Sequence, residues 1–407
     1  MAERVVITGI GAITPVGNDR ESTWSALLAG RSGVAPITAF DASALPTQIA
    51  AEVKDFDPAT ILEGKRLRRT ARFAQLAVAA AREAVADADF TVRDPARTGV
   101  VINAAVAGFD TIEDATRIMH DHRLSPYFVA SSLTNMPACE VAIDLGVHGP
   151  VTASALACAS GNYALVEARR LILSGDADVV ICGGTDAAIT EVMFAGLSSM
   201  GALSKRNDDP AGASRPFDSE RDGFVFGEGS VVLVMESATH ARERGARVYA
   251  EFSGGALTSD AFHVSAPAPE GKYAAAAITR ALDNSGVAPE EIDYVSAHGT
   301  GTKANDRTET MAMHAAYGKK AEELAVSSPK SMVGHLIGAA GALGAMTAVL
   351  AIRDGVVPPT INLMNPDPEC DLDYVPNVAR HMPVRAATAN AFGFGGQNCV
   401  AVFLADE

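Results

Sequence analysis

Tryptophan is nearly absent from this chain: one residue in 407, with all aromatics together at 6%. Glycine (36 residues) and alanine are abundant instead. An aromatic-rich β-sandwich fits that balance poorly, whereas tightly packed α/β layers suit it. Positive charge is also short. The 33 Lys and Arg against 49 Asp and Glu leave a net charge of −16, which argues against nucleic acid and anionic membrane surfaces as partners. The five cysteines (Cys139, Cys158, Cys182, Cys370, Cys399) include no Cys-x-x-Cys pair. That removes a zinc framework, and no metal centre is expected. Their odd number and wide spacing suit a reducing cytoplasm. A Gly-x-Ser-x-Gly nucleophile elbow is missing too, so a serine hydrolase has no support. One uncharged run, Leu336 to Ile352, is almost long enough to cross a bilayer. It is mostly Ala and Gly and repeats the pattern of an earlier, charge-bearing helix, which makes it a buried core helix and not a membrane span. The start, Met1-Ala-Glu-Arg-Val-Val-Ile-Thr-Gly, reads as a charged tip before a short strand, not as a signal peptide.

What is present centres on Leu156-Ala-Cys-Ala-Ser-Gly161. The apolar stretch Val151 to Ala157 leads into Cys158, and Ala164, Leu165, Ala168, Leu171 and Ile172 then recur at helical spacing. A thiol at a strand-to-helix junction sits on the helix's N-terminal dipole and unpaired N–H groups, both of which favour thiolate. A small buried hydrophobe is the bland alternative for such a cysteine. An echo later in the chain favours the former. Gly161 to Gly175 has the spacing of Gly341 to Gly355, with Ala164 and Ala168 matched by Gly344 and Ala348. Small residues on one face let two helices approach closely, so these read as paired central helices of a duplicated fold.

The remaining pattern agrees. A first half, 1–247, alternates strands (Val5–Gly9, 98–103, 178–182, 224–236) with helices (71–87, 110–123, 137–145). The second, 248–407, has strands at 248–256, 292–297, 324–328, 386–392 and 398–404, and helices at 271–286, 307–317 and 336–353. The polar runs Ser204 to Pro210 and Ser214 to Gly223 are expected to be surface loop. Three further groups fall near strand ends, where loops present catalytic side chains. They are Ser296-Ala-His298-Gly-Thr300-Gly-Thr302, Lys330 with His335, and Phe392-Gly-Phe394-Gly-Gly396. Any one alone is weak, since lone histidines and glycine runs are usually structural. Together they supply a sulfur nucleophile, two imidazole donors and backbone N–H groups, a set suited to acyl transfer through a thioester.

In that order, Cys158, His298 and His335, with Lys330 and the Gly-Phe-Gly-Gly loop, resemble the Cys-His-His set of β-ketoacyl-acyl-carrier-protein synthases, condensing enzymes of the thiolase superfamily. The resemblance runs from Val5-Val-Ile-Thr-Gly-Ile-Gly through Arg215-Pro-Phe-Asp to the C-terminal glycines. It implies an α/β fold, the duplicated five-layer α-β-α-β-α sandwich. The segments Gly301 to Thr310, Lys330 to His335 and Pro366 to Pro376 look most like ketosynthase-alpha subunits of type II polyketide synthases, while Asn390 to Asn398 looks like the fatty-acid elongation branch. The first reading is therefore a polyketide ketosynthase paired with a chain-length-factor-like subunit. The alternative is a homodimeric fatty-acid elongation synthase. A non-catalytic chain-length-factor-like subunit is disfavoured by the intact Cys158, His298 and His335, and a degradative thiolase by the lack of a Cys-x-Gly near the C-terminus.

The resemblance also assigns roles. Cys158 would carry the acyl chain, and His298 and His335 would hold the malonyl thioester oxygen. The N–H groups of Cys158 and Phe394 would form an oxyanion site, with Phe394 as a gate. Thr300 and Thr302 would contact pantetheine, and Lys330 would organise the His335 side. No cofactor is implied, because substrates arrive on the phosphopantetheine of an acyl carrier protein. Relatives usually place a glutamate nine residues after the second histidine, where this chain has Gly344. Asp306 and Glu309, both in family positions, are candidates to compensate; alternatively, Gly344 only brings the central helices closer. The basic cluster Lys65, Arg66, Arg68, Arg69 and Arg72, with Lys205 and Arg206, suits docking of an acidic carrier protein. Val106 and Phe109 would line the acyl tunnel.

Overall fold

Two glycines in the first strand set the outer layer of the first half. In the computed structural model, which describes residues 3–406, strand β1 (Val5–Ile13) is buried along its whole length. Helix α1 (Arg72–Asp87) lies directly across it: a Cβ at Gly9 would fall 2.2 Å from the Ala84 carbonyl oxygen, and one at Gly11 2.0 Å from that of Ala80. Bare backbone at these positions lets the strand continue to Ile13, beyond its expected end at Gly9.

Four more strands complete the first half: β2 (Thr98–Asn103), β3 (Val151–Thr152), β4 (Val179–Asp186) and β5 (Gly229–Ser237). The second half contributes β6 (Ala250–Ser259), β7 (Tyr294–Ser296), β8 (Ala325–Ser327), β9 (Ala386–Gly393) and β10 (Gln397–Leu404). Counted outward from the seam, the orders are β1-β5-β4-β2-β3 and β6-β10-β9-β7-β8. Within each half this is the same sequence, first-fifth-fourth-second-third. The pairings match as well, antiparallel for the three strands nearest the seam and parallel outward of them. The duplication read from glycine spacing is thus present in the strand topology. The two sheets meet only where Val6 and Ile7 pair with Glu251 and Ala250.

The helices fill the other three layers. α1 and α2 (Met136–Leu145) cover the outside of the first sheet, and α4 (Lys272–Ser285) with α5 (Lys303–Tyr317) the outside of the second. Between the sheets lie α3 (Ser160–Leu173) and α6 (Ala340–Asp354). This is the expected α-β-α-β-α sandwich. The central pair approaches at Gly161, where a Cβ would be 2.4 Å from Ala342 N, and reciprocally at Gly341, where one would be 2.5 Å from Asn162 N. The uncharged run is this central helix, buried from Ala340 through Ala351.

Three expectations need correction. The apolar approach to Cys158 is strand only at Val151–Thr152. The helix expected at 110–123 is Phe109–Ile118. The polar run after Ser214 is largely interior: Ser214, Arg215, Phe217, Asp218 and Arg221 are buried, and only Ser219, Glu220 and Asp222 are exposed, whereas Lys205, Asp208 and Asp209 of the preceding run lie at the surface as expected. Its buried charges are paired inside the protein, with Arg221 on Asp306 and Asp367, and Asp218 accepting from the Met364 and Asn365 N–H groups. A polar composition predicts solvent only when its partners are water.

Candidate active site

Both central helices begin with the same irregular turn. Ala157 has φ +46° and Ile337 φ +51°, each in the left-handed region and each followed by a tight 3-10 turn into its helix. The cost of such a backbone is tolerated where it aims a group at a ligand. In the first half the next residue is Cys158; in the second it is Gly338. The sulfur therefore sits at the helix start, as the sequence suggested, and lines a cavity of about 460 Å³ with His298, His335 and Phe394. A nitrogen from each imidazole and the Cys158 Sγ lie within 4.8 Å of one another. The rings of His298 and His335 meet edge to face at 5.4 Å, and Phe392 closes the far side of His298 at 5.8 Å.

The local chemistry of each group follows from its contacts. Burial pushes the Cys158 thiol up to about 11, while Lys330 and the N–H groups of Phe394 and Cys158 itself pull it down. The thiolate expected from the helix dipole is therefore overridden by desolvation at rest. Burial, reinforced by Lys330, holds both histidines well below the ordinary value, so both imidazoles are neutral. The tautomer of His335 is fixed: its Nδ1 accepts the Ile337 N–H at 3.1 Å, leaving an Nε2–H that is buried without a partner. That edge offers a metal a hydrogen and not a lone pair, so the Cys158–His298–His335 cluster is better suited to polarising an oxygen than to coordination.

Asp306 and Glu309, on α5, hold the 298–301 loop by its backbone. Glu309 accepts from the His298 and Gly299 N–H groups at 2.8 and 2.7 Å, and Asp306 from those of Thr300, Gly301 and Phe217. Neither is in ion-pair contact with Lys330, and among the described residues no other carboxylate is. Compensation by a direct ion pair is thus not what these acids provide. Burial lowers the Lys330 ammonium to about 8, with Glu309, Cys158 and Asp306 opposing from a distance. Nor does Gly344 serve helix packing: it faces the second sheet, where a Cβ would meet Ser296 Oγ at 3.4 Å and Ala389 Cβ at 3.6 Å.

Thr300 and Thr302 line the cavity with their hydroxyl oxygens 3.0 Å apart, and Thr302 also caps α5. Val106 lines the apolar end with Met193, Leu197, Phe224 and Phe226, while Phe109 packs behind against the Phe194–Phe226 cluster. In the basic cluster, Lys65, Arg68 and Lys205 are exposed. Arg66 is spent internally on Glu140 and Asp144, and Arg72 on Glu228, so these two leave the docking set. Arg69 lies over the Tyr127 ring, and Arg206 approaches Glu220 at 3.7 Å. Sequence reasoning missed Asp186 and Ile337, which position the site by contacts that carry no motif, and it gave Phe392, inside the glycine loop it did single out, no role of its own. It also missed the loop Ser265-Ala-Pro267 at the cavity mouth.

Residues 2–241 match the family model for the N-terminal domain of β-ketoacyl synthases, and residues 249–364 that for the C-terminal domain. The chain belongs to the β-ketoacyl synthase family. It is an α/β acyltransferase of the condensing type. It is 48% identical over 406 residues, 98% of both chains, to 3-oxoacyl-[acyl-carrier-protein] synthase 2 of Synechocystis sp. (strain ATCC 27184 / PCC 6803 / Kazusa). Among solved structures, the ishigamide ketosynthase/chain length factor is similar at TM-score 0.93 and 39% identity, with all of both chains covered. A type II PKS acyl-carrier protein in complex with its ketosynthase bound to the hexaketide gives TM-score 0.92 and 32% identity, again over all of both chains.

Proposed function

We propose that this β-ketoacyl synthase is a homodimeric fatty-acid elongation enzyme that condenses malonyl carrier protein with an acyl chain held on Cys158. The observation that supports this over the polyketide reading is the 48% identity to a 3-oxoacyl-[acyl-carrier-protein] synthase 2, against 39% and 32% for the two ketosynthase structures. The order of preference given by the segment likenesses is therefore reversed.

In the first half-reaction the Cys158 sulfur attacks the acyl thioester carbonyl, and the pantetheine thiol leaves with the proton that Cys158 gives up. The tetrahedral oxygen falls to the N–H groups of Cys158 and Phe394, which already point at the sulfur. Malonyl carrier protein then enters past Thr300 and Thr302. Its C–C bond breaks, carbon dioxide leaves, and the electron pair moves onto the thioester oxygen. The neutral imidazoles of His298 and His335 receive that oxygen, the latter through its fixed Nε2–H. The enolate carbon attacks acyl-Cys158, and the cysteine sulfur departs to be reprotonated. No cofactor enters the sequence. The acidic carrier protein would dock on Lys65, Arg68 and Lys205, and a reducing cytoplasm would keep Cys158 free.

Mass spectrometry of the purified protein with acyl and malonyl carrier proteins tests this. The expected result is acylation of Cys158 and a product two carbons longer, made without a second polypeptide. His298→Ala and His335→Ala should still self-acylate but decarboxylate slowly. Acylation that persists in Cys158→Ala would overturn the nucleophile assignment. Elongation only after adding a chain-length-factor-like subunit would restore the polyketide reading, which the full-length likeness to the ishigamide ketosynthase favours.

A further inference from the structure

The duplication places two unlike groups at equivalent points of the site. Asp186 ends β4 in the first half, and Gly393 ends β9, its counterpart in the second. Each abuts the irregular turn of the opposite half. A Cβ at Gly393 would lie 3.1 Å from Cys158 N, so the glycine leaves that N–H open to the cavity. At the other turn the equivalent N–H, that of Gly338, is occupied: it donates to Asp186 Oδ2 at 2.7 Å. The same oxygen accepts the Ala105 N–H at 3.0 Å, and Oδ1 accepts that of Val106 at 3.1 Å. The carboxylate is fully buried and takes only backbone donors. Burial raises it to about 7 against the pull of those three N–H groups.

Holding Gly338 fixes the peptide before it as well. That peptide's N–H, on Ile337, is the one that donates to His335 Nδ1, and Ile337 is in the left-handed region, where the backbone does not rest unaided. Ala105 and Val106 begin the wall of the acyl cavity. One carboxylate therefore ties the acyl wall to the turn that sets the histidine tautomer.

Resting on the condensing reading of the site, we propose that Asp186 is a positioning residue for decarboxylation: it pins the Ile337–Gly338 turn so that His335 presents Nε2–H to the malonyl thioester oxygen. Cys158 lies on the other turn and takes no hydrogen bond from this clamp; Asp186 reaches the sulfur only as a negative charge at a distance, which raises the thiol. The two half-reactions should then separate.

The experiment compares wild type, Asp186→Asn and Gly338→Ala in self-acylation and in malonyl carrier protein decarboxylation, each checked for folding by circular dichroism. The asparagine turns an N–H toward donors, and the alanine Cβ would lie 2.5 Å from Asp186 Oδ2. Both variants should lose decarboxylation on the order of ten-fold or more, as loss of a supporting contact commonly does. Self-acylation should fall by no more than about three-fold, since Asp186→Asn also removes a charge that raises the Cys158 thiol, and that split is one general destabilisation would not produce. In the folded wild type, ¹⁵N shifts of His335 should show Nδ1 as the unprotonated nitrogen and Nε2 as the protonated one, and Asp186→Asn should blur that distinction. Equal loss of both half-reactions, or an Nδ1–H tautomer in the wild type, would overturn the proposal. If the wild type decarboxylates nothing, the functional reading fails first, and the ¹⁵N measurement still decides the positioning role.

Discussion

Lys330 is a buried ammonium with no carboxylate among the described residues in contact, and it acts on Cys158 at a distance. Its positive charge lowers the thiol while it persists, that is, below about 8. Above that value the ammonium loses its proton and its help to the thiolate fades. Alkylation of Cys158 by iodoacetamide should therefore climb with pH below that point and flatten above it, falling short of the about ten-fold per unit of an isolated thiol. Lys330→Ala should slow alkylation near neutral pH by roughly ten-fold for each unit that the thiol rises. Gly344→Glu restores the acid that the resemblance places at this position, and its first side-chain atom has ordinary contact distances of 3.4 and 3.6 Å to Ser296 and Ala389. A carboxylate there raises both Lys330 and Cys158, so alkylation should slow and the flattening should move to higher pH. Faster alkylation in Gly344→Glu would refute this account of the missing acid.

At the scale of elements, two glycines of the central helix pair part company. Gly161 lies against the backbone of α6, and an added Cβ would meet Ala342 N at 2.4 Å, a contact no rotamer relieves. Gly161→Ala should cost about 1–3 kcal/mol as overpacking in a close-packed core. Gly344→Ala meets only ordinary contacts and gains about 1 kcal/mol of helix propensity. Urea midpoints should fall for the first and hold or rise for the second; the reverse order would mean the helices are spaced differently. The same contrast shows what could be read in advance. The central helices, the duplication and the Cys158–His298–His335 set were legible, because small residues at helical spacing and nucleophile-plus-imidazole chemistry leave local marks. The clamp at Asp186 was not: its donors lie some 80 and 152 positions away in sequence, and a carboxylate accepting backbone N–H groups imposes nothing on its partners' identities. The run from Ser214 to Gly223 misled for a related reason, since long-range pairing inside the core looks like solvent polarity in a linear reading.

For the whole molecule, the two equivalent sheet edges are finished differently. The second sheet ends in β8, which is buried and covered by the chain near Asp373, whose carbonyl takes the Val326 N–H at 2.9 Å. The first sheet ends in β3, where Val151 is 38% exposed. β3 packs against α2, whose Ile143 is apolar and exposed, and the segment leading into α2 exposes Tyr127, Val129 and Leu133 as well, with Val129 at 67%. A duplicated fold that covers one edge and leaves its equivalent open calls for a partner there, because an unpaired strand edge and exposed apolar side chains near it both favour association. A second copy of this chain, related by a twofold axis, would pair like with like across it. Sedimentation velocity at micromolar concentration should find a dimer. Ile143→Asp and Val129→Asp, on the surface and away from the Cys158 pocket, should shift it to monomer while leaving each half folded, since burying an unpaired carboxylate in an apolar interface costs several kcal/mol. A wild-type chain that sediments as a monomer, yet binds tightly to a different subunit through the same edge, would assign this surface to a heterodimer.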